Sequence, residues 1–95
     1  MERYRLSKDA EDDLRRLYRH GVLTFGLAQA DRYFDALFER FDELAENPLL
    51  YRAVDEIRPG YRRSVYGAHA IYYRINAGLV EIMRILSREN PDAQL

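Results

Sequence analysis

The sequence predicts an α+β fold: an N-terminal strand, then an α-helical hairpin packed on a C-terminal three-stranded antiparallel meander. Three observations carry that reading. Between Arg58 and Arg88 the chain reads RPGYRRSVYGAHAIYYRINAGLVEIMRILSR, three aromatic and β-favouring runs separated by short turn signals. Upstream, apolar residues recur at steps of three and four in two segments divided by glycine. One layer of helices on an antiparallel sheet then lets both apolar surfaces bury each other.

Taken in order, Tyr4-Arg5-Leu6 is a short extended run that ends at Ser7, a residue suited to capping a helix. Asp9, Glu11, Asp12 and Asp13 crowd the turn that follows, where the helix dipole favours negative charge. The spacing predicts a helix from Lys8 to about Arg19, ended by Gly21, with Ala10, Leu14, Leu17 and Tyr18 on its buried stripe. Gly26 opens a second helix whose stripe runs Leu27, Ala30, Phe34, Leu37, Phe38, Phe41, Leu44 and Ala45, until Asn47-Pro48 stops it. This aromatic stripe reads as core against the sheet. Residues 49–57 have no clear period. The first strand should join the sheet, because Tyr4 and Leu6 need cover. The polar tail SRENPDAQL over residues 87–95 reads as a frayed end, so the expectation is a single domain over 1–95.

Register assigns the meander's faces. A two-residue turn at Gly67-Ala68 sets Tyr66 opposite His69, and a three-residue turn over 76–78 sets Ile75 opposite Leu79. One face then holds His69, Ile71, Tyr73, Ile75, Leu79, Glu81, Met83 and Ile85, and is mostly apolar. The other holds Tyr61, Arg63, Val65, Tyr72, Arg74, Val80, Ile82, Arg84 and Leu86. A slip of one residue would exchange the two sets.

The formal charge is −1, yet it is unevenly distributed: residues 1–57 carry −4 and residues 58–95 carry +3. That asymmetry suits an anionic partner for the sheet half, or attraction between the two halves. The absence of cysteine excludes disulfides and thiolate chemistry. His20 and His69 lie in no ligand-spaced motif, so no metal or other cofactor is expected. No apolar run reaches membrane-spanning length and the N-terminus is too charged for a secretory signal, which together read as cytoplasmic. His69, at a hairpin corner, reads as structural.

The mixed face is the candidate partner-binding site: Tyr61, Arg63, Tyr72, Arg74, Val80, Ile82 and Arg84. Apolar contacts with arginine anchors are what binding surfaces use. The three guanidinium groups could receive carboxylates from a partner or clamp phosphates, or they could pair with Glu81, Glu89 or helix acids.

The segments YRLSKDAEDDL and LAENPL, and GYRRSVYGAHAIYYRI followed by VEIMRIL, resemble the ParE branch of the RelE/ParE superfamily. The resemblance covers the chain from Tyr4 to about Arg88. It implies the β-α-α-β-β-β fold and a toxin of a type II toxin–antitoxin system. A ParD-like antitoxin would hold it inactive through a C-terminal segment folded over the toxin. ParE-like members poison DNA gyrase, whereas RelE-like members cut messenger RNA on the ribosome with Lys, Arg and a late Tyr or His. Here Lys8 is the only lysine, nothing after Tyr73 is Tyr or His, and Ser87 stands where many members place a His. The expectation is therefore a toxin that binds and does not catalyse. The alternatives are a ribosome-dependent endoribonuclease and a non-toxic member that serves only antitoxin binding and autoregulation.

Overall fold

The computed structural model describes residues 3–89 and Leu95. The elements are β1 (Tyr4–Leu6), α1 (Lys8–Phe25), α2 (Leu27–Glu46), β2 (Arg62–Tyr66), β3 (His69–Asn76) and β4 (Leu79–Ser87). They build one four-stranded sheet in the order β1-β4-β3-β2, with β1 parallel to β4 and the meander antiparallel. The expected class and element order are thus realised. Of the tail expected to be frayed, Ser87 closes β4 and Leu95 packs against the cluster of Val54, Tyr61, Ala70, Tyr72 and Leu86, while residues 90–94 lie outside the described residues.

Ser7 caps α1, its Oγ accepting from the Ala10 amide at 3.0 Å. The same oxygen donates to the Met83 carbonyl at 2.8 Å, so one side chain starts the helix and ties it to β4. The helix does not stop at Gly21; it runs to Phe25. Gly21 lies inside it, facing Ala30 of α2. Gly26 alone links the helices, at φ 93° and ψ 164°, a conformation essentially confined to glycine. That single residue turns the chain back, so a longer helix replaces the expected linker. Leu27, expected in the stripe, is 60% exposed at the tip, while Ala30, Leu37, Phe41 and Leu44 are buried as expected.

The β2–β3 turn follows expectation, with Tyr66 opposite His69. The β3–β4 turn does not. Ala77 and Gly78 both have positive φ, 54° and 78°, forming a two-residue primed turn whose twist matches the flanking strands. Asn76 therefore stays in β3 opposite Leu79, and Ile75 faces Val80. Val80 and Ile82 consequently join Ile71 and Tyr73 under the helices, and Glu81 comes opposite Arg74 on the other face. A register shift then follows, with Tyr73 opposite Ile82 and Tyr72 opposite Arg84, leaving Met83 as the extra residue of a bulge. The bulge restores the expected parity, so Ile85 points to the helices and Arg84 and Leu86 do not.

The main core lies between helices and sheet: Ala10, Leu14, Leu37, Phe41, Leu44, Ile71, Tyr73, Val80, Ile82 and Ile85, with Tyr4 edge-on to Phe41. The opposite face is also partly covered. Val54 and Ile57, in the segment without clear period, pack on Tyr61, Ala70, Tyr72 and Leu86. An isolated bridge between Ala53 and Arg62 holds that segment against β2.

Candidate functional site

The seven residues predicted to form a partner-binding face do not stay together. Val80 and Ile82 are buried beneath the helices because the tight Ala77-Gly78 turn reverses their orientation. Tyr61 and Tyr72 keep the expected face but are buried by Val54 and its neighbours. What reaches the surface is the arginine set.

Each arginine is held differently. Arg63 of β2 lies over the Tyr72 ring, 5.9 Å from its centroid, and its Nε donates to the Tyr72 hydroxyl at 3.1 Å. Its Nη2 donates to the Arg88 carbonyl at 3.3 Å, so it meets no carboxylate in these contacts. Arg74 of β3 pairs with Glu81 directly across the sheet, Nε to Oε1 at 2.7 Å. The Arg74 hydrogen bond holds Glu81 below the usual carboxylate range. Arg84 of β4 reaches round the sheet edge to Asp13 of α1, Nε to Oδ2 at 2.8 Å.

That edge exists because β1 ends at Leu6, opposite Ile82. Beyond it the backbone of β4 has no strand partner on that side. Ser7 satisfies the Met83 carbonyl and Asp13 Oδ2 accepts from the Ile85 amide at 2.9 Å. Asp13 is 1% exposed and also receives Arg16. Burial pushes its carboxyl up, but hydrogen bonds from Arg84, Ile85 and Arg16 outweigh that and lower it. Sequence reading took Asp13 for one of four acids placed to suit the helix dipole. Its position was the available signal, since it falls with Ala10, Leu14 and Leu17 on the apolar stripe.

Two further residues escaped the sequence. Arg40 of α2 stacks between Tyr51 and Tyr66, at 5.3 and 5.2 Å, and donates to Ser64 Oγ and the Val65 carbonyl, closing part of the β2 edge. Tyr33 of α2 gathers the β2–β3 turn. Its hydroxyl accepts from the Ala68 amide at 3.2 Å and sits 3.0 Å from the Tyr66 carbonyl and 2.7 Å from His69 Nδ1. The Tyr33 proton serves the Tyr66 carbonyl or His69 Nδ1 according to the His69 tautomer. Burial, then the charge of His20, lowers the His69 pKa. Among the described residues no group of three or more His, Cys, Asp or Glu could hold a metal, and no helix is long and apolar enough to cross a membrane.

A helical hairpin on this antiparallel sheet is the fold that the resemblance to the RelE/ParE superfamily implies. The family model described as "ParE toxin of type II toxin-antitoxin system, parDE" matches residues 4–91. The chain belongs to the ParE toxin family. Its relatives include Toxin ParE1 of Mycobacterium tuberculosis, 38% identical over 85 residues, covering 88% of this chain and 87% of that protein. Toxin ParE1 of Caulobacter vibrioides is 35% identical over 86 residues, covering 90% and 88%. Among solved structures, the chromosomal ParDE toxin–antitoxin system from P. aeruginosa contains a chain that superposes with a TM-score of 0.79. It is 20% identical and covers 90% of this chain and 95% of its own. In this ParE toxin, then, the buried Asp13 and the tyrosine-stapled turn shape the scaffold, and Arg74, with 43% of its side chain exposed against 21% for Arg84, stays nearer to solvent.

Proposed function

We propose that this ParE toxin acts by binding DNA gyrase in the cytoplasm, and that a ParD-like antitoxin neutralises it through a C-terminal segment that lays carboxylates on Arg63 and Arg74. The observation that carries the reading is how the arginines are engaged. Glu81 neutralises Arg74 and Asp13 neutralises Arg84, which opposes a phosphate clamp built from three free guanidinium groups. Tyr72, the aromatic ring on that face, is fully buried and spends its hydroxyl on Arg63. A ribonuclease site would need a general acid or base within reach of the scissile phosphate, and the groups on this face are committed to holding one another.

The test is DNA supercoiling by purified gyrase with the protein added, run beside cell-free translation. Lost supercoiling with intact translation is the expected result. Inhibited translation with untouched supercoiling would overturn the gyrase reading and make the arginine face a nuclease site. If neither assay responds, the chain is a non-toxic member that serves its antitoxin alone.

A further inference from the structure

A cavity of ≈ 520 Å³ lies between the C-terminal half of α1, the first turns of α2 and the β2–β3 turn. Its wall is apolar: Leu17, Tyr18, Phe25, Ala30 and the ring of Tyr33. Gly21, without a side chain, keeps the wall set back there. Such a volume falls in the range of small-molecule sites, about 300–1,000 Å³. A second hollow of ≈ 250 Å³ adjoins it, sharing Leu17, His20, His69 and Ser87 and adding Asp13 and Arg16.

The side shared with the second hollow carries the hydrogen-bonding groups His20, His69 and Ser87. From α1 the two hollows meet Asp13, Arg16, the Tyr18 hydroxyl and His20, from α2 Gln29 and the Tyr33 hydroxyl, from β3 His69, and from the end of β4 Ser87. Asp13, the one carboxylate, is already engaged by Arg84 and Arg16. The His20 ring makes no hydrogen bond among the described residues, and His69 uses Nδ1 alone. Two imidazole edges therefore stand beside an apolar chamber, with the Arg16 guanidinium, paired to Asp13, in the adjoining hollow.

We infer that this cavity binds a small molecule with an apolar body and a carboxylate head, the body against Leu17, Phe25 and Ala30 and the head at Arg16, His20 and His69. The site is separate from the arginine face, and its occupancy is read by binding alone, so it stands or falls independently of toxicity.

The test is an amide NMR titration of the full chain with sodium octanoate and, in parallel, 1-octanol. Octanoate should give saturable shifts at Leu17, Ala30 and His69, and should bind about threefold to fivefold more tightly than octanol, the size of one partly exposed ion pair. The His69 ring, whose pKa burial lowers, should titrate at higher pH when octanoate is bound. His20 is exposed, so His20→Ala keeps the fold; it should weaken octanoate and leave octanol unchanged. Phe25→Ala should weaken both. Absence of saturable shifts, equal affinity for the two probes, an unmoved His69 titration, or shifts centred on the exposed Leu49 and Leu50 would each overturn the inference.

Discussion

Asp13 and Arg84 stand 71 positions apart in the chain and meet through two parallel hydrogen bonds, Nε to Oδ2 at 2.8 Å and Nη2 to Oδ1 at 3.0 Å. The pair joins the first helix to the last strand where β1 no longer covers it. Its second role is local, because the same carboxylate satisfies the Ile85 amide. Asp13→Ala removes four accepted hydrogen bonds and leaves Arg84, Arg16 and the Ile85 amide without this partner. The expected loss in urea unfolding is about 3 kcal/mol, the low end for breaking a buried pair, since Arg84 keeps some solvent access.

The same carboxylate predicts the acid limb of stability. Its folded pKa lies below its unfolded value, so its contribution is complete above the unfolded pKa of about 4. That contribution is lost as the pH falls through the lowered folded value. Urea unfolding between pH 5 and pH 2 should show a steeper decline for the parent than for Asp13→Asn. Parallel declines would mean that other carboxylates carry the acid limb.

Tyr33 and Gly67 are matched. A Cβ on Gly67 would lie 2.8 Å from both Cε1 and the hydroxyl oxygen of Tyr33, and φ there is 55°. Gly67→Ala therefore meets backbone strain and a clash together, with an expected cost of about 2 kcal/mol. Tyr33→Phe removes the clash-prone hydroxyl but abandons its contacts with Ala68, Tyr66 and His69, costing about 1–2 kcal/mol. Combining them should cost less than the sum, because the smaller ring edge accommodates the new methyl group. Strict additivity in thermal unfolding would refute the coupling.

The two glycines of the helical hairpin should respond in opposite directions. Gly21 has ordinary helical φ, and a Cβ there would sit 3.5 Å from that of Ala30, a normal contact. Gly21→Ala should stabilise by about 0.5–1 kcal/mol, the helix-interior difference between these residues. Gly26 meets no neighbour, yet its φ of 93° with ψ of 164° admits little but glycine. Gly26→Ala should cost about 1–3 kcal/mol. Thermal unfolding of both variants separates crowding from backbone strain.

Much of the fold was legible because period and turn chemistry agree along the chain. Ser7 announces α1, Asn47 ends α2, and Gly67-Ala68 sets a register that the structure keeps. The candidate face was less legible, for two physical reasons. Whether 76–78 forms a two- or three-residue turn inverts Leu79–Ile82, and a bulge at Met83 then inverts the strand back; neither choice leaves a compositional trace. Burial of Tyr61 and Tyr72 depends on Val54, which sits in a segment with no period to reveal a packing face. Asp13 and Tyr33 were hidden differently: their partners lie far away in the chain, and only the fold brings those partners near.

The inversion of Val80 and Ile82 divides the predicted face into residues that hold the fold and residues that can meet a partner. Ile82 is fully buried among Tyr73, Val80 and the helices. Ile82→Ala should lower stability by about 2–5 kcal/mol, while affinity for the cognate antitoxin, measured where the variant is folded, stays unchanged. Among the described residues the Arg63 guanidinium bonds to the Tyr72 hydroxyl and the Arg88 carbonyl, so its charge is not cancelled by a bonded carboxylate there. Arg63→Glu should weaken the antitoxin complex by more than about 1 kcal/mol in calorimetry, the scale of a lost arginine anchor with like charge put in its place. Arg74 already shares Glu81, so neutralising it as Arg74→Gln should cost the complex less than Arg63→Glu does. If Arg63→Glu binds as tightly as the parent, the antitoxin's carboxylates lie elsewhere and this face is not the interface.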